Sequence, residues 1–191
     1  MAPNDLHRRT LELIDEQTQR AITGRPSRIF AKLNALVDHA VIEALYRASQ
    51  AGVPIDIVAR GICSLRPGVR GLSETIRVRS IIDRFLEHSR IYVFGPDEDA
   101  KVFLSSADWM PRNFFRRVEV MFPVLAPEHA GRILREIIPV YLADNVRARR
   151  LDPDGAFRAV APGEGQPARR CQSELLETRS APVHDAGEAT V

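Results

Sequence analysis

A histidine, an arginine and a pair of serines stand where a phosphoryl group could be held. The stretch His88-Ser89-Arg90-Ile91-Tyr92-Val93-Phe94-Gly95 is followed by Val102-Phe103-Leu104-Ser105-Ser106-Ala107-Asp108-Trp109. Two residues apart on an extended strand, His88 and Arg90 project to one face. An imidazole and a guanidinium are poor core material and a good phosphate pair. The ring can act as nucleophile or proton donor near neutral pH, and the guanidinium neutralises oxyanion charge. The second stretch ends in the hydroxyls of Ser105 and Ser106, which, with free backbone N–H groups at a strand end, can bind further phosphate oxygens. Ligands of open α/β sheets sit at such carboxyl ends. A lone histidine is more often a surface residue; Arg90 and the Ser-Ser strand end are what lift this one above that.

To position these groups the chain needs strands that end together. Residues 5–23 read as an amphipathic helix, with Leu6, Leu13, Ile14 and Ala21 near one face and Gly24 to end it. Arg28 to Leu33 alternates like a short strand. Asp38 can cap a second helix carrying Val41, Leu45 and Ala48, closed by Gly52. The apolar run Val53–Val58 is then a buried strand, and strand–helix–strand order implies a parallel pair. Residues 60–75 read as a loop, with turn chemistry at Arg66-Pro67-Gly68 and Gly71. Ile91–Phe94 and Val102–Leu104 form a hairpin about the acidic turn 95–99. Val118–Val124 is a further strand, and Glu128–Leu142 a helix kinked at Pro139. Beyond Gly163 the chain is rich in Gly, Pro, Ala, Ser and charges. It reads as a mostly disordered tail with one weak helix at Ser173–Thr178.

The bulk numbers narrow the class. A hydrophobic fraction of 45% and a charged fraction of 27% are those of a globular domain. No apolar run approaches the roughly 20 residues that span a bilayer, and the start MAPNDLHRRT has no apolar signal region, which favours the cytoplasm. Cys63 and Cys171 have no metal-ligand spacing and read as ordinary reduced thiols. Net charge is only +2, yet of the 27 basic residues only Lys32 and Lys101 are lysine. Coding bias is the plain cause of so much arginine, but its planar donor fork also suits phosphate. Between Arg60 and Arg117 eleven basic residues face seven acidic ones. That excess suits an anionic ligand, without the long basic stripe of a nucleic-acid binder.

The pattern His-x-basic, an apolar strand, then Ser-Ser-Ala-Asp-Trp-Met-x-Arg-Asn resembles a half-site of the phospholipase D superfamily, and most of all the C-terminal domain of bacterial polyphosphate kinases. Four colinear blocks carry the resemblance: Lys32–Asp38, Gly52–Pro54 leading into Arg60–Gly68, Ile76–Ile81 through Phe85–Arg90, and Ser105–Asn113 running into Arg117–Val120. The resemblance implies an α/β, phospholipase D-like domain over residues 1–162, with a mixed, mostly parallel sheet flanked by helices, and a flexible tail over 163–191. It implies reversible transfer of the terminal phosphoryl group of ATP to polyphosphate through a phosphohistidine. Arg60, His88 and Arg117 match positions that contact the nucleotide phosphates, and His88 matches the assisting histidine. Arg90, Ser105, Ser106, Lys32 and Asn34 are further candidates for binding ATP or phosphate.

The histidine that the family phosphorylates belongs to a preceding domain, as do the arginines linked to magnesium and a tyrosine facing the base. Magnesium is therefore expected for the full enzyme, with no metal ligands in this chain. Partners are ATP or ADP and polyphosphate, with no nucleic acid. A separately encoded upstream portion or a second copy would complete the site, and membrane association would come only through such a complex. Two other readings stay open. One is a non-catalytic remnant that binds ATP or polyphosphate. The other is a single-half-site phosphodiesterase acting as a homodimer; Arg90 in place of the usual lysine and Asp108 in place of the usual asparagine speak against it. Phe114-Phe115 departs from the family pattern. The pair either makes an exposed docking patch or, more plainly, splits into one ring packed inward and one exposed. His7, His39, His129 and His184 are assigned no role and default to the surface.

Overall fold

Ile29–Leu33 (β1), Ile55–Ala59 (β2) and Arg90–Phe94 (β4) are buried at every position, so each must be covered on both faces. The computed structural model describes residues 5–96 and 99–180 and supplies that cover as helices on each side of one sheet. The remaining strands are Ile76–Ile81 (β3), Lys101–Ser105 (β5), Met121–Pro123 (β6), Ala148–Leu151 (β7) and Phe157–Ala159 (β8), in the order β6-β5-β4-β1-β2-β3-β7-β8. The α/β class stands, but the sheet is not mostly parallel. Only β1–β2 and β2–β3 are parallel pairs; β1–β4, β3–β7, β4–β5, β5–β6 and β7–β8 are antiparallel. The crossover from β1 to β2 gives the parallel pair expected of it. Tight returns such as the turn after Phe94 can join only antiparallel neighbours, and they build both rims. In that turn Gly95 takes φ +104, and a Cβ there would stand 2.9 Å from the Asp99 carbonyl oxygen.

On one face Leu6–Ile22 (α1) and His39–Gln50 (α2) lay Leu13, Ile14, Leu45 and Ala48 into the cluster that holds Ile57 and Tyr92. Asp38 caps α2 as expected, its carboxylate accepting from the Val41 N–H at 3.0 Å. On the other face Pro127–Arg132 (α4), a π-helical turn Ile133–Ile137, Ile138–Ala143 (α5) and Cys171–Ser180 (α6) cover Phe30, Val58, Ile91 and Val93. The kink expected at Pro139 takes the form of that wide turn. Proline offers no N–H to the carbonyl of Arg135 and its ring crowds it, and widening the turn ahead of it relieves both. Pro111–Arg116 (α3) bridges β5 to β6. The long strand expected over Val118–Val124 shrinks to the three residues of β6.

The boundary expected at residue 162 falls inside packed chain. Asn145 donates to the Pro167 carbonyl at 3.0 Å and accepts from the Arg169 N–H at 2.7 Å, and Cys171 is 1% exposed. The tail composition hid these anchors, because they join side chains to segments far off in sequence. Of the tail expected over 163–191, residues 181–191, with His184, lie outside the described residues. Cys63 and Cys171 are free thiols, and among the described residues no helix is long and apolar enough to cross a membrane.

Candidate active site

β1, β2, β3 and β5 run one way and β4 the other, so four carboxyl ends and the start of β4 meet on one edge of the sheet. This crest is stitched by backbone. Arg60 N–H donates to the Leu33 carbonyl at 3.1 Å, Gly61 to Asn34 at 2.8 Å, Leu36 to Ile62 at 2.9 Å and Val37 to Trp109 at 2.9 Å. Glycine at position 61 eases this close approach, since a Cβ would stand 3.0 Å from the Asn34 carbonyl oxygen. Below, Trp109 stacks on Tyr92 at 4.8 Å, and the Tyr92 hydroxyl donates to the Ala107 carbonyl at 2.6 Å.

On the α1–α2 side the buried carboxylate of Asp108 is the hub. It accepts from Arg90 Nε at 3.1 Å and Nη2 at 3.0 Å, from the Asn34 backbone N–H at 2.7 Å and from Asn34 Nδ2 at 3.2 Å. Burial resists ionisation, but Arg90 and Asn34 outweigh it and hold the Asp108 carboxyl below its ordinary value. His88 precedes β4 rather than lying on it, so strand alternation does not place it. Arg90 places it instead. The Arg90 Nη1 lies 2.9 Å from His88 Nδ1 and donates to the His88 carbonyl at 2.9 Å, while Nη2 lies 3.3 Å from Nε2. The two ring lone pairs diverge, so these matched distances describe a guanidinium lying alongside the imidazole.

Lys32 projects to the opposite face, toward α5 and α6. Its ammonium donates to the Ser89 carbonyl at 2.9 Å, pairs with Glu87 and lies 5.1 Å from the Tyr141 ring centroid. Burial pulls the lysine pKa down further than Glu87 restores it, and the nearby cations Arg60 and Arg90 add to the fall. Glu87 is held below its ordinary value because Lys32 outweighs the cost of its own burial. Burial and the Glu87 carboxylate push the Tyr141 phenol up. Half-buried Arg60 lines the same pocket with Lys32, Glu87 and Tyr141.

Ser105 and Ser106 do not offer free hydroxyls. Ser105 donates to the Val120 carbonyl at 2.8 Å and accepts from the Ala107 N–H at 3.0 Å. Ser106 bonds to Glu119 and accepts from the Val120 N–H at 3.0 Å. They fasten the segment that carries Arg117 to the crest. Phe114 is buried and Phe115 exposed, the plainer of the two outcomes. His7 corrects the expectation of a partnerless surface residue. Its ring sits 4.9 Å from each of these phenylalanines, and its Nε2 lies 3.1 Å from Asp38 Oδ1.

Sequence reasoning missed a clamp behind the His88 loop. The Asp83 side chain is 0% exposed and is gripped by Arg170 at 2.5 and 2.7 Å and by Arg147 at 3.1 Å. Arg170 holds this carboxyl well below the usual carboxylate range. Gln172 accepts from the Phe85 N–H at 2.9 Å and donates to the Phe85 carbonyl at 2.8 Å. Nothing in local spacing signals pairs 87 residues apart.

The eight candidates sort by whether their polar heads are spent. Lys32, Asn34, Arg90, Ser105 and Ser106 are committed to neighbours. Asn34 has spent its amide donor on Asp108, and its buried Oδ1 has no donor among the described residues. The guanidiniums of Arg60 and Arg117 make no hydrogen bond or ion pair with another described residue, and His88 is exposed beside Arg90. Among the described residues no group of three or more His, Cys, Asp or Glu side chains is placed to hold a metal ion.

An α/β domain with cationic side chains along its strand ends is what fold and crest define. The chain belongs to the polyphosphate kinase family: the model of polyphosphate kinase C-terminal domain 2 matches residues 1–172. Polyphosphate kinase of Neisseria meningitidis serogroup C is 51% identical over 174 residues, covering 91% of this chain and 25% of that protein. The Pseudomonas aeruginosa enzyme is 50% identical over 182 residues, covering 95% and 26%. The crystal structure of polyphosphate kinase from Porphyromonas gingivalis superposes with a TM-score of 0.87 at 35% identity, over 94% of this chain and 28% of that one. The chain thus spans about a quarter of the length of the curated relatives it matches.

Proposed function

We propose that this chain supplies the charge-neutralising half of a polyphosphate kinase site, in which the terminal phosphoryl group of ATP passes reversibly to polyphosphate. One observation carries the reading: of the eight candidates, Arg60 and Arg117 keep their guanidiniums uncommitted among the described residues and His88 stands exposed against Arg90, while the other five serve as their frame. Phosphoryl transfer runs through a loose transition state, so positioning and charge neutralisation dominate its catalysis. In the forward direction a histidine nitrogen outside this chain attacks the γ-phosphorus. The N–P bond forms as the bond to the bridging oxygen breaks, and ADP leaves. The terminal oxygen of polyphosphate then takes the group as the N–P bond breaks. Arg60 and Arg117 bind the non-bridging oxygens, and His88 donates a hydrogen bond to the entering or leaving oxygen. Magnesium, expected for the complete enzyme, is held by residues elsewhere.

These residues form one half of the site in this reading, and the second half comes from the upstream portion of a polyphosphate kinase, joined to them or separate, or from a second copy. The test is incubation with γ-labelled ATP, alone and with the upstream part of a polyphosphate kinase. Polymer formation in the mixture, lost in Arg60→Ala and Arg117→Ala, is the expected outcome. Phosphodiester hydrolysis by the chain alone would sink it, and ATP binding without turnover in any mixture would leave a binding remnant instead.

A further inference from the structure

His88 is exposed, and the loop that leads into it gives the core little to hold: Ile82 is 68% exposed, Phe85 49% and Leu86 77%. The Gln172 clamp stops at Phe85. An exposed side chain beyond such a loop ordinarily hops between rotamers. A group that must meet an oxygen in a loose transition state needs fixed placement instead. We infer that the Lys32–Glu87 pair is a positioning device for His88, acting through Ser89, and that it binds no phosphate itself. The inference rests on the role proposed for His88 and names the residues that aim it.

The ties sit on the two peptide groups that flank Ser89. The His88 carbonyl accepts from Arg90 Nη1 at 2.9 Å, on the α1–α2 side of the sheet. The N–H of the same peptide belongs to Ser89 and donates to Glu87 Oε1 at 3.2 Å. The next carbonyl, that of Ser89, accepts from Lys32 Nζ at 2.9 Å. The Ser89 hydroxyl donates to the same Glu87 oxygen at 2.6 Å, and the other Glu87 oxygen pairs with Lys32. A peptide group is planar and turns as a unit. One held by its carbonyl from one face and by its N–H from the other cannot turn without breaking a bond. That rotation is also the ψ of His88, so the tied peptide fixes the base from which the imidazole projects.

The pair has little left to offer an anion. The Lys32 side chain is only 6% exposed and has spent its ammonium on Glu87 and Ser89. Without Lys32, Glu87 would turn an uncompensated carboxylate toward the pocket of Arg60, where it would repel phosphate. With the pair formed, the pocket keeps the charge of Arg60, and whatever binds there is felt at the turn. Stability alone is a weak reason for such a pair, because apolar residues of similar size often serve as well. Orientation is a stronger one. Apolar side chains would give no bond to the Ser89 carbonyl and take none from its N–H.

Steady-state polymer formation by the chain with the upstream part of a polyphosphate kinase reads the role as a split between kcat and KM. Lys32→Met with Glu87→Met is expected to stay folded, with a melting temperature within a few degrees of wild type. Its KM for ATP should hold while kcat falls by about a hundredfold, the scale of a misplacement of about 1 Å. Ser89→Ala, at an exposed position, removes the hydroxyl tie alone and should lower kcat several-fold. Ser89→Thr keeps a hydroxyl and should restore it. A raised KM with kcat intact would make the pair a phosphate site. An unchanged kcat in the folded double variant, or equal rates in Ser89→Ala and Ser89→Thr, would leave it a plain ion pair. Each of these overturns the inference while the proposed function stands. Should the double variant not fold, the contrast between Ser89→Ala and Ser89→Thr decides. If the wild-type mixture makes no polymer, the proposed function and the positioning role fall together.

Discussion

Arg90 and Lys32 stand on neighbouring strands at the crest, project to opposite faces of the sheet, and are stabilised in different ways. Arg90 has a bidentate carboxylate, and that carboxylate has two further donors from Asn34. Lys32 has Glu87, one carbonyl and an aromatic ring, and burial still draws its pKa down. A saturated network of this kind is costly to break, because removing one member strands a buried charge. The lysine side is less fully compensated, so removing its charge costs less. The comparison suggests a division of labour in which the Arg90 side is a brace for His88 and the Lys32 side responds to what arrives beside Arg60.

The largest expected effect follows from the brace. Asp108→Ala leaves Arg90 buried and unpaired and should cost about 3–5 kcal/mol of stability by urea denaturation. A loss no greater than that of Glu87→Ala would erase the distinction between the two sides. Acid separates them next. The Asp108 carboxyl is depressed below the ordinary 3.8, so its contribution is complete above that pH and is lost as pH falls through the folded value. The stability gap between wild type and Asp108→Asn should therefore narrow in urea melts below pH 3.8.

Base reports on the other side. Lys32 is depressed from 10.5, so the cost of its buried charge is relieved as pH rises through the folded value toward 10.5. Replacing the pair together, Lys32→Met with Glu87→Met, should change stability by only about 1 kcal/mol at neutral pH, since apolar residues of similar size often match a buried ion pair. The wild type should then gain on this variant as pH is raised. A gap that stays constant would show that Lys32 is not desolvated. The smallest effect is expected from Tyr141→Phe, about 1 kcal/mol or less by thermal melting, because only one hydroxyl is lost.

Much of this arrangement is readable in the residues. Period-3.6 patterning places α1 and α2, and Asp38 marks the start of α2. β3 is not read as a strand, although Ile76-Arg77-Val78-Arg79-Ser80-Ile81 alternates buried and open positions, because it follows a loop rich in turn residues. β7 and β8, at four and three residues, are too short to signal themselves. At the site, local pattern brings His88 and Arg90 together, though through a side-chain contact rather than strand alternation. It presents Ser105 and Ser106 as open hydroxyls, whereas a segment fourteen or fifteen residues on takes them. Hydroxyls look alike in sequence whether they face a ligand or a neighbouring backbone. Glu87, Asp83, Arg170 and Gln172 owe their roles to partners far away in the chain, which no window of sequence contains.

The Gln172 clamp also bears on the order in which this protein can be built. Phe85 and its partner are separated by 87 residues. At synthesis rates of about 5–20 residues per second, the loop that carries His88 leaves the ribosome roughly 4–17 seconds before the side chains that fix it. The sheet and the backbone stitches of the crest can assemble in that interval, but the clamp on the loop cannot. The loop beside His88 is thus among the last parts of the nascent chain to set, and it waits with three apolar side chains uncovered.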